Sequence, residues 1–198
     1  MTDIRFAGFG GQGIILMGIA VARGAAMYDR TDHVGDGGHR YATQTQSYGP
    51  SARGGHSRCD VKISDDEIHY PFIEKPDVLV LMSEQAYKKY LPGLKDSGIV
   101  IMDADLIKER PDGKLFLVPA TSAAESLGAR VVANVVMLGA FQTITGVVSR
   151  EALRKAVLDL VPEMTHDLNT KALERGRELG EERLKSGGCS PLDGRREA

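Results

Sequence analysis

Close to the N-terminus, Gly8-Phe9-Gly10-Gly11-Gln12-Gly13 places a G-x-G-x-x-G spacing directly after an apolar run, and few backbones accommodate it. Ile4-Arg5-Phe6-Ala7-Gly8 reads as a strand, while Met17, Val21, Ala25 and Tyr28 recur at helical spacing on one face. The opening is therefore strand, glycine turn, helix. Glycines at such a turn let backbone N–H groups and the helix N-terminus approach a phosphate, but the same spacing also serves a tight turn with no ligand. A dinucleotide site would add a ribose-reading carboxylate about 20 residues further on, at the end of a second strand. That distance falls on Asp29 and Asp32, in the polar segment Asp29–Arg40, with no strand before them. The pattern argues against NAD or FAD.

Tyr41–Tyr48 has the β-branched content of a strand, with Thr43, Thr45 and Ser47 on one face and Gln44, Gln46 and Tyr48 on the other. Neither face is apolar, so such a strand lines something wet. His56–Ser64 follows as a strand with Cys59, Val61 and Ile63 on one face. The runs Asp77–Met82 and Gly98–Met102 are continuous rather than alternating, as in central strands covered on both faces, and Lys114–Val118 adds another. Helices are expected over Ala129–Thr145, over Ser149–Leu160 with Ser149 as N-cap, and over Thr165–Lys185. This order predicts an α/β fold, a Rossmann-like three-layer domain with a mostly parallel central sheet over residues 1–185, followed by a disordered tail at 186–198. Val131–Phe141 is apolar on nearly every face and should be covered on both sides.

Composition removes several classes of function. The 198 residues suffice for one domain with a full-sized core. Lys plus Arg number 25 against 27 Asp plus Glu, which provides no basic stripe for nucleic acid. Val131–Val148 is long and apolar, yet Asn134, Gln142, Thr143 and Thr145 would be costly in lipid, so a buried helix fits better than a membrane span. Met1-Thr2-Asp3-Ile4-Arg5 lacks the charged-then-apolar character of a leader, and the expected compartment is the cytoplasm. Cys59 and Cys189 stand far apart, with no C-x-x-C pair, and supply neither a structural zinc site nor an iron–sulfur cluster.

Among the remaining motifs, Gly35-Asp36-Gly37 resembles the first half of a thiamine-diphosphate motif, but the first asparagine of the chain, the residue type of the second half, is Asn134. His33, Asp36 and His39 could meet around a metal, although a solvated loop explains them better. Asp103-x-Asp105 could cap a turn. No Ser/His/Asp order or carboxylate pair marks a catalytic centre. The most informative stretch is Ser51-Ala52-Arg53-Gly54-Gly55, because an Arg fork beside two residues without side chains brings charge and backbone donors to a phosphate together. It converges with Gly10 if both end adjacent strands. The alternative is a plain hairpin with Arg53 as a surface charge.

Gly8-Phe9-Gly10-Gly11-Gln12-Gly13, then Gln46-Ser47-Tyr48-Gly49-Pro50-Ser51-Ala52-Arg53-Gly54-Gly55-His56-Ser57, then Arg130–Gly139, and finally Asn169–Gly176, form an ordered set. Together they resemble the gamma subunit of 2-oxoacid:ferredoxin oxidoreductases over residues 3–182, with the Tyr-Gly-Pro-x-Ala-Arg-Gly-Gly form most like the 2-oxoglutarate branch. The resemblance implies a complex that decarboxylates a 2-oxoacid onto coenzyme A and passes electrons to ferredoxin. In it thiamine diphosphate, magnesium and iron–sulfur clusters belong to partner alpha, beta and ferredoxin-like delta subunits. It also implies that this chain helps to position coenzyme A through Gly10, Gly11, Gln12, Gly13, Tyr48, Ser51, Arg53, Gly54, Gly55 and Asn134, with no catalytic residue of its own. The segment Asp29–Arg40 departs from the family pattern, and a helix end, a subunit contact or a lip on the ligand cleft would each suit its composition. A stand-alone nucleotide-binding oxidoreductase and a non-enzymatic ligand-binding module are the competing classes.

Overall fold

A computed structural model describes residues 1–29, 40–48, 55–110, 112 and 114–186. The elements run β1 (Thr2–Phe9), α1 (Ile14–Arg23), β2 (Tyr41–Tyr48), β3 (His56–Ser64), β4 (Val78–Leu81), α2 (Glu84–Tyr90), β5 (Ile99–Asp103), β6 (Lys114–Val118), α3 (Ala120–Ser126), α4 (Ala133–Thr145), α5 (Arg150–Leu158) and α6 (His166–Lys185). They build one six-stranded sheet in the order β2-β3-β1-β4-β5-β6. β1, β4, β5 and β6 pair in parallel, while β3 pairs antiparallel with both β1 and β2. Five strands therefore point one way and β3 alone runs against them, which is the mostly parallel sheet expected.

Burial follows the strand pattern. On one face Phe6, Val61, Val80 and Ile101 join Met17 and Val21 of α1 and Phe141 of α4 in the main core, where the Phe6 and Phe141 rings meet edge to face at 5.2 Å. On the other, Leu79, Leu81, Val100 and Met102 pack beneath Tyr87 and Tyr90 of α2. The continuous apolar runs of β4 and β5 are explained by this double cover. Residues 133–141 of α4 are all buried, with α6 closing their outer side. Val131, at the end of the apolar run, is instead 79% exposed, in the single 3₁₀ turn that precedes α4.

Two helices escape the sequence pattern. α2 and α3 have seven residues each, too few for a 3.6-residue period to declare itself. α2 is nonetheless marked by its N-cap, Ser83, whose Oγ accepts from Ala86 N at 3.2 Å. The expected Ser149 cap is present, with Ala152 N donating to its Oγ at 3.3 Å. The last turn of the first helix widens into a π-helix at Gly24–Tyr28, and Tyr28 donates its hydroxyl to Asp159.

Cys59 lies beneath α1, where Gly18 leaves room for its sulfur: a Cβ on Gly18 would stand 2.1 Å from Sγ. Burial pushes the thiol up to about 11, against a hydrogen bond from Gln44. At pH 8 its thiolate fraction is then about one in a thousand. In a Cys189→Ser variant, iodoacetamide should alkylate the native protein at least about 100-fold more slowly than the denatured chain. Equal rates would show that Cys59 is accessible.

Candidate functional site

The glycine turn sits at the carboxyl end of β1, where open α/β sheets place their ligands. Gly11 (φ 96°) and Gly13 (φ 72°) both occupy the left-handed region that other residues avoid. At Gly13 space is a second constraint, since a Cβ would come within 2.1 Å of Asn134 Nδ2. Asn134, buried at the start of α4, holds the turn through a long 3.5 Å contact from Nδ2 to Gly13 O. The turn and the first turn of α4 thus form one unit across 121 residues of sequence.

Three further hydrogen bonds fix the turn. Gly10 N donates to Gly55 O at 3.0 Å, so the glycine turn meets the end of the Arg-Gly-Gly segment, as expected if both close adjacent strands. Phe9 N donates to Gln12 Oε1 at 2.7 Å, and Gln12 Nε2 donates to Met82 O at 2.7 Å, clasping the turn to the end of β4. The Gln12 side chain and the Gly10 N–H are therefore engaged within the chain and shape the turn. The donors left facing outward are those of the first turn of α1.

Around this turn lie three clefts that share walls. One of about 340 Å³ runs between Gly11, Gln12, Leu106, Thr121, Arg130 and Asn134, and one of about 470 Å³ continues it past Ser83, Glu84 and Lys88. The third, of about 280 Å³ and almost wholly apolar, lies on the other side of Val131, between Gly13, Leu16, Val135, Pro162 and Leu168. A separate pocket between α4, α5 and α6 holds about 20 Å³, room for about one water.

Sequence reasoning did not single out Arg130, Ser83, Lys88 or Thr121 as cleft residues. Arg130 is 65% exposed at its side chain and shares its charge with Glu125 at 3.4 Å; Lys88 is likewise shared, with Glu84 at 3.1 Å and Glu109 at 3.4 Å. The usable signal was position for three of them, because Ser83 follows the end of β4 while Thr121 and Arg130 lie in the first turns of helical segments; Lys88 reaches the cleft from within α2. Thr121 donates to Asp103 Oδ2 at 2.6 Å, and Asp105 N donates to Asp103 Oδ1 at 2.9 Å. Burial holds the Asp103 carboxyl above the usual carboxylate range, with those hydrogen bonds pulling the other way. Asp105 in turn accepts from Ser122 N and Oγ at 2.8 Å each. This pair joins β5 to α3, the turn-capping role rather than a catalytic one.

Tyr48 ends β2 opposite Ser57. Ser51, Arg53 and Gly54 lie outside the described residues, as do Asp32, His33, Asp36, His39, Cys189 and the tail from 187 onward. Asp29 and Arg40, which flank the segment at 30–39, are both tied to the loop before α5: Ser149 N donates to Asp29 Oδ2 at 3.2 Å, and Arg40 Nη1 donates to Val147 O at 2.7 Å. They sit at the amino end of β1, the opposite end from the glycine turn, because Tyr41 pairs with Ser64 beside Thr2. Asp29 therefore cannot read a ribose held at Gly11. The next described strands after α1, β2 and β3, are moreover antiparallel to each other, so among the described residues no strand paired in parallel with β1 directly follows α1 to carry such a carboxylate. Among the described residues no helix is long and apolar enough to cross a membrane, and no three His, Cys, Asp or Glu side chains gather as a metal site.

Compared with known proteins, residues 3–179 match the family described as pyruvate ferredoxin/flavodoxin oxidoreductase. The chain is 44% identical to the 2-oxoglutarate synthase subunit KorC of Methanocaldococcus jannaschii, over 91% of this chain and 94% of that one. It is 46% identical to the KorC subunit of Methanothermobacter thermautotrophicus, over 89% and 94%. The ketoisovalerate oxidoreductase subunit VorA of the latter organism is 31% identical over 92% of this chain, which corresponds to only 37% of VorA. Among solved structures, the gamma subunit of a keto/oxoacid ferredoxin oxidoreductase from Geobacter sulfurreducens superposes with a TM-score of 0.78 at 39% identity, covering 92% of this chain and 99% of that one.

Proposed function

We propose that this chain, which belongs to the pyruvate ferredoxin/flavodoxin oxidoreductase family, is the gamma subunit of a cytoplasmic complex that oxidatively decarboxylates 2-oxoglutarate to an acyl-CoA and delivers the electrons to ferredoxin. The observation that carries this reading is the end-to-end 44–46% identity to 2-oxoglutarate synthase subunits, set against 31% to the ketoisovalerate subunit. Alpha and beta subunits hold thiamine diphosphate with magnesium, and a ferredoxin-like delta subunit holds iron–sulfur clusters. Thiamine supplies the carbanion chemistry of the decarboxylation.

The role of this chain is to bind and orient coenzyme A. Phosphates meet the first-turn N–H groups of α1 beside Gly11 and Gly13, with Asn134 fixing the turn and Gly10 and Gln12 shaping it. Gly10 N on Gly55 O brings the end of the Ser51–Gly55 segment to the same place, which supports Arg53, Gly54, Ser51 and Tyr48 as the other side of the cradle. Combined clefts of about 340 and 470 Å³ suit a nucleotide-sized ligand.

The complex reconstituted with and without this chain, assayed on a panel of 2-oxoacids, tests the reading. The full complex should show its highest kcat/KM with 2-oxoglutarate, and the isolated chain should turn over nothing; turnover by the isolated chain would end the proposal. Arg53→Ala in the full complex should raise the coenzyme A KM about 10- to 150-fold, since a hydrogen bond to a charged group contributes about 1.5–3 kcal/mol. Arg53→Lys should restore only part of this, having lost the bidentate fork. Were the 2-oxoacid KM to rise instead, Arg53 would be a carboxylate clamp.

A further inference from the structure

Away from the ligand cleft, the face of β1 and β3 that α2 leaves bare is covered by an extended strap, residues 65–76, with no helix in it. Two cations buried beneath the strap hold it down. Lys62, 7% exposed, donates from Nζ to Tyr70 O at 2.9 Å and to Phe72 O at 3.2 Å. Arg5, 5% exposed, donates from Nη2 to Ile73 O at 2.8 Å while its fork grips Asp60. Taking two cations out of water is costly, and here they act on three successive stretches of strap backbone. The outcome is peculiar for a pinned segment: Tyr70 and Phe72 point outward, 59% and 56% exposed, with their rings edge to face at 5.5 Å.

We infer that the pinned Tyr70–Phe72 pair and its acidic border form the docking surface for another subunit of the same oxidoreductase, one that presents an apolar socket rimmed by lysine and arginine. Pre-fixed aromatic side chains are the usual anchors of protein interfaces because little entropy remains to be lost on binding. The partner's charge follows from the strap itself: Asp65, Asp66, Glu67 and Glu74 are exposed along it, and of the cations Lys75 is exposed in the strap while Arg40 is engaged with Asp65 at 3.0 Å, which leaves a net acidic surface. Two copies of this strap would repel each other, so the charge disfavours self-association and selects a basic partner. Next to the strap, β2 is an eight-residue edge strand, Tyr-Ala-Thr-Gln-Thr-Gln-Ser-Tyr, with no proline or charge to protect it, and Tyr41 at its start pairs with Ser64, from which the strap departs. Among the described residues no strand pairs with its outer side, and an open edge of that length calls for cover in the assembled protein. VorA, in which the matching region is only 37% of the chain, shows that such a domain also exists joined to further polypeptide. The inference rests on the reading of this chain as a subunit.

The test uses the co-expressed complex, purified through a tag on another subunit. With Tyr70→Ser/Phe72→Ser, retention of this chain should fall about tenfold or more, while the isolated variant keeps the circular dichroism and melting point of the wild type. Retention of the wild-type chain should weaken as salt rises, and Asp66→Lys/Glu67→Lys should both weaken retention and remove that salt dependence. Hydrogen exchange of the wild-type chain, alone and assembled, gives a reading independent of any variant: amides 65–75 should become protected on assembly. Full retention of the double variant at every salt concentration, or unchanged exchange across the strap, would overturn the inference. So would a dimer of the isolated chain that the double variant abolishes. Loss of 2-oxoacid turnover with normal retention would strike the functional proposal instead.

Discussion

Gly176→Ala should unfold this protein at a temperature about 6–12 °C below the wild type, the shift that a loss of about 3 kcal/mol produces in a domain of this size. α4 and α6 cross with backbone against backbone. A Cβ on Gly176 would stand 1.9 Å from Val136 O and 3.0 Å from Ala140 N, and one on Gly139 would stand 2.2 Å from Leu173 O. Propensity alone favours the substitution, since alanine is better than glycine in a helix by about 1 kcal/mol. Space decides the sign, because the first atom struck belongs to the backbone of a buried helix and cannot turn aside. Separating the helices enough to admit a methyl group opens the interface along its length, including Gly180 against Thr143. Overpacking of flexible cores costs about 1–3 kcal/mol, and a rigid contact lies at or beyond the upper end. Thermal unfolding of the isolated chain is the measurement, with the exposed Lys171→Ala as a control expected within about 0.5 kcal/mol of wild type. A melting point within about 2 °C of wild type for Gly176→Ala would mean that the helices are not this close.

The same crossing explains which parts of the fold could be read in advance. Residues 131–141 are apolar on nearly every face and so predict cover on both sides, which holds for 133–141, while Val131 is exposed in the turn before α4. Nothing in them said that the cover would be α6, because Gly139 and Gly176 reveal their pairing only in three dimensions. The strands were legible for an equally physical reason. β4 and β5 are buried on both faces and read as unbroken apolar runs, whereas β3 alternates through Cys59, Val61 and Ile63. What the alternation hid is that Arg5, Asp60 and Lys62, polar by type, are also buried. Arg5 pairs with Asp60 and Lys62 lies 3.8 Å from Asp3, while both cations donate to strap carbonyls, a solution that depends on which strands are neighbours.

Around the clefts, the glycine turn was legible because left-handed backbone demands glycine at Gly11 and Gly13. The joining of that turn to Gly55 followed from placing both at ends of adjacent strands. Gln12 was harder to read. It belongs to the motif, and its amide bridges Phe9 N and Met82 O, an internal role in shaping the turn that the spacing alone does not reveal. Arg130 and Ser83 carried no local pattern. Their position on the cleft depends on the strand order β1-β4-β5, which no spacing along the chain encodes.

Asp60→Ala should be the most damaging single change among the buried charges, and it should be worse than the loss of its partner. Asp60 accepts from Arg5 Nε and Nη2 at 2.8 Å each and lies 3.6 Å from Arg58 Nε. Removing it leaves the Arg5 guanidinium buried with Ile73 O and the face of Tyr90, 5.6 Å away, as its only described company. An uncompensated buried charge costs about 3–5 kcal/mol. Arg5→Met is the milder change: Asp60 keeps Arg58, whose half-buried side chain reaches water, and the methionine stem still fills the space under the strap. The double variant Arg5→Met/Asp60→Leu should recover most of the Asp60→Ala loss, because a well-packed apolar pair of similar volume replaces the ion pair without an orphaned charge. Denaturant unfolding of the three variants and the wild type closes the cycle. Since Arg5 also holds the strap, hydrogen exchange at residues 71–75 should speed up in both variants that lose Arg5, even where global stability is regained. If Arg5→Met proved as destabilising as Asp60→Ala, the charge of Arg5 would be contributing through the strap carbonyl rather than through Asp60, and the strap would be the part of this face on which the fold depends.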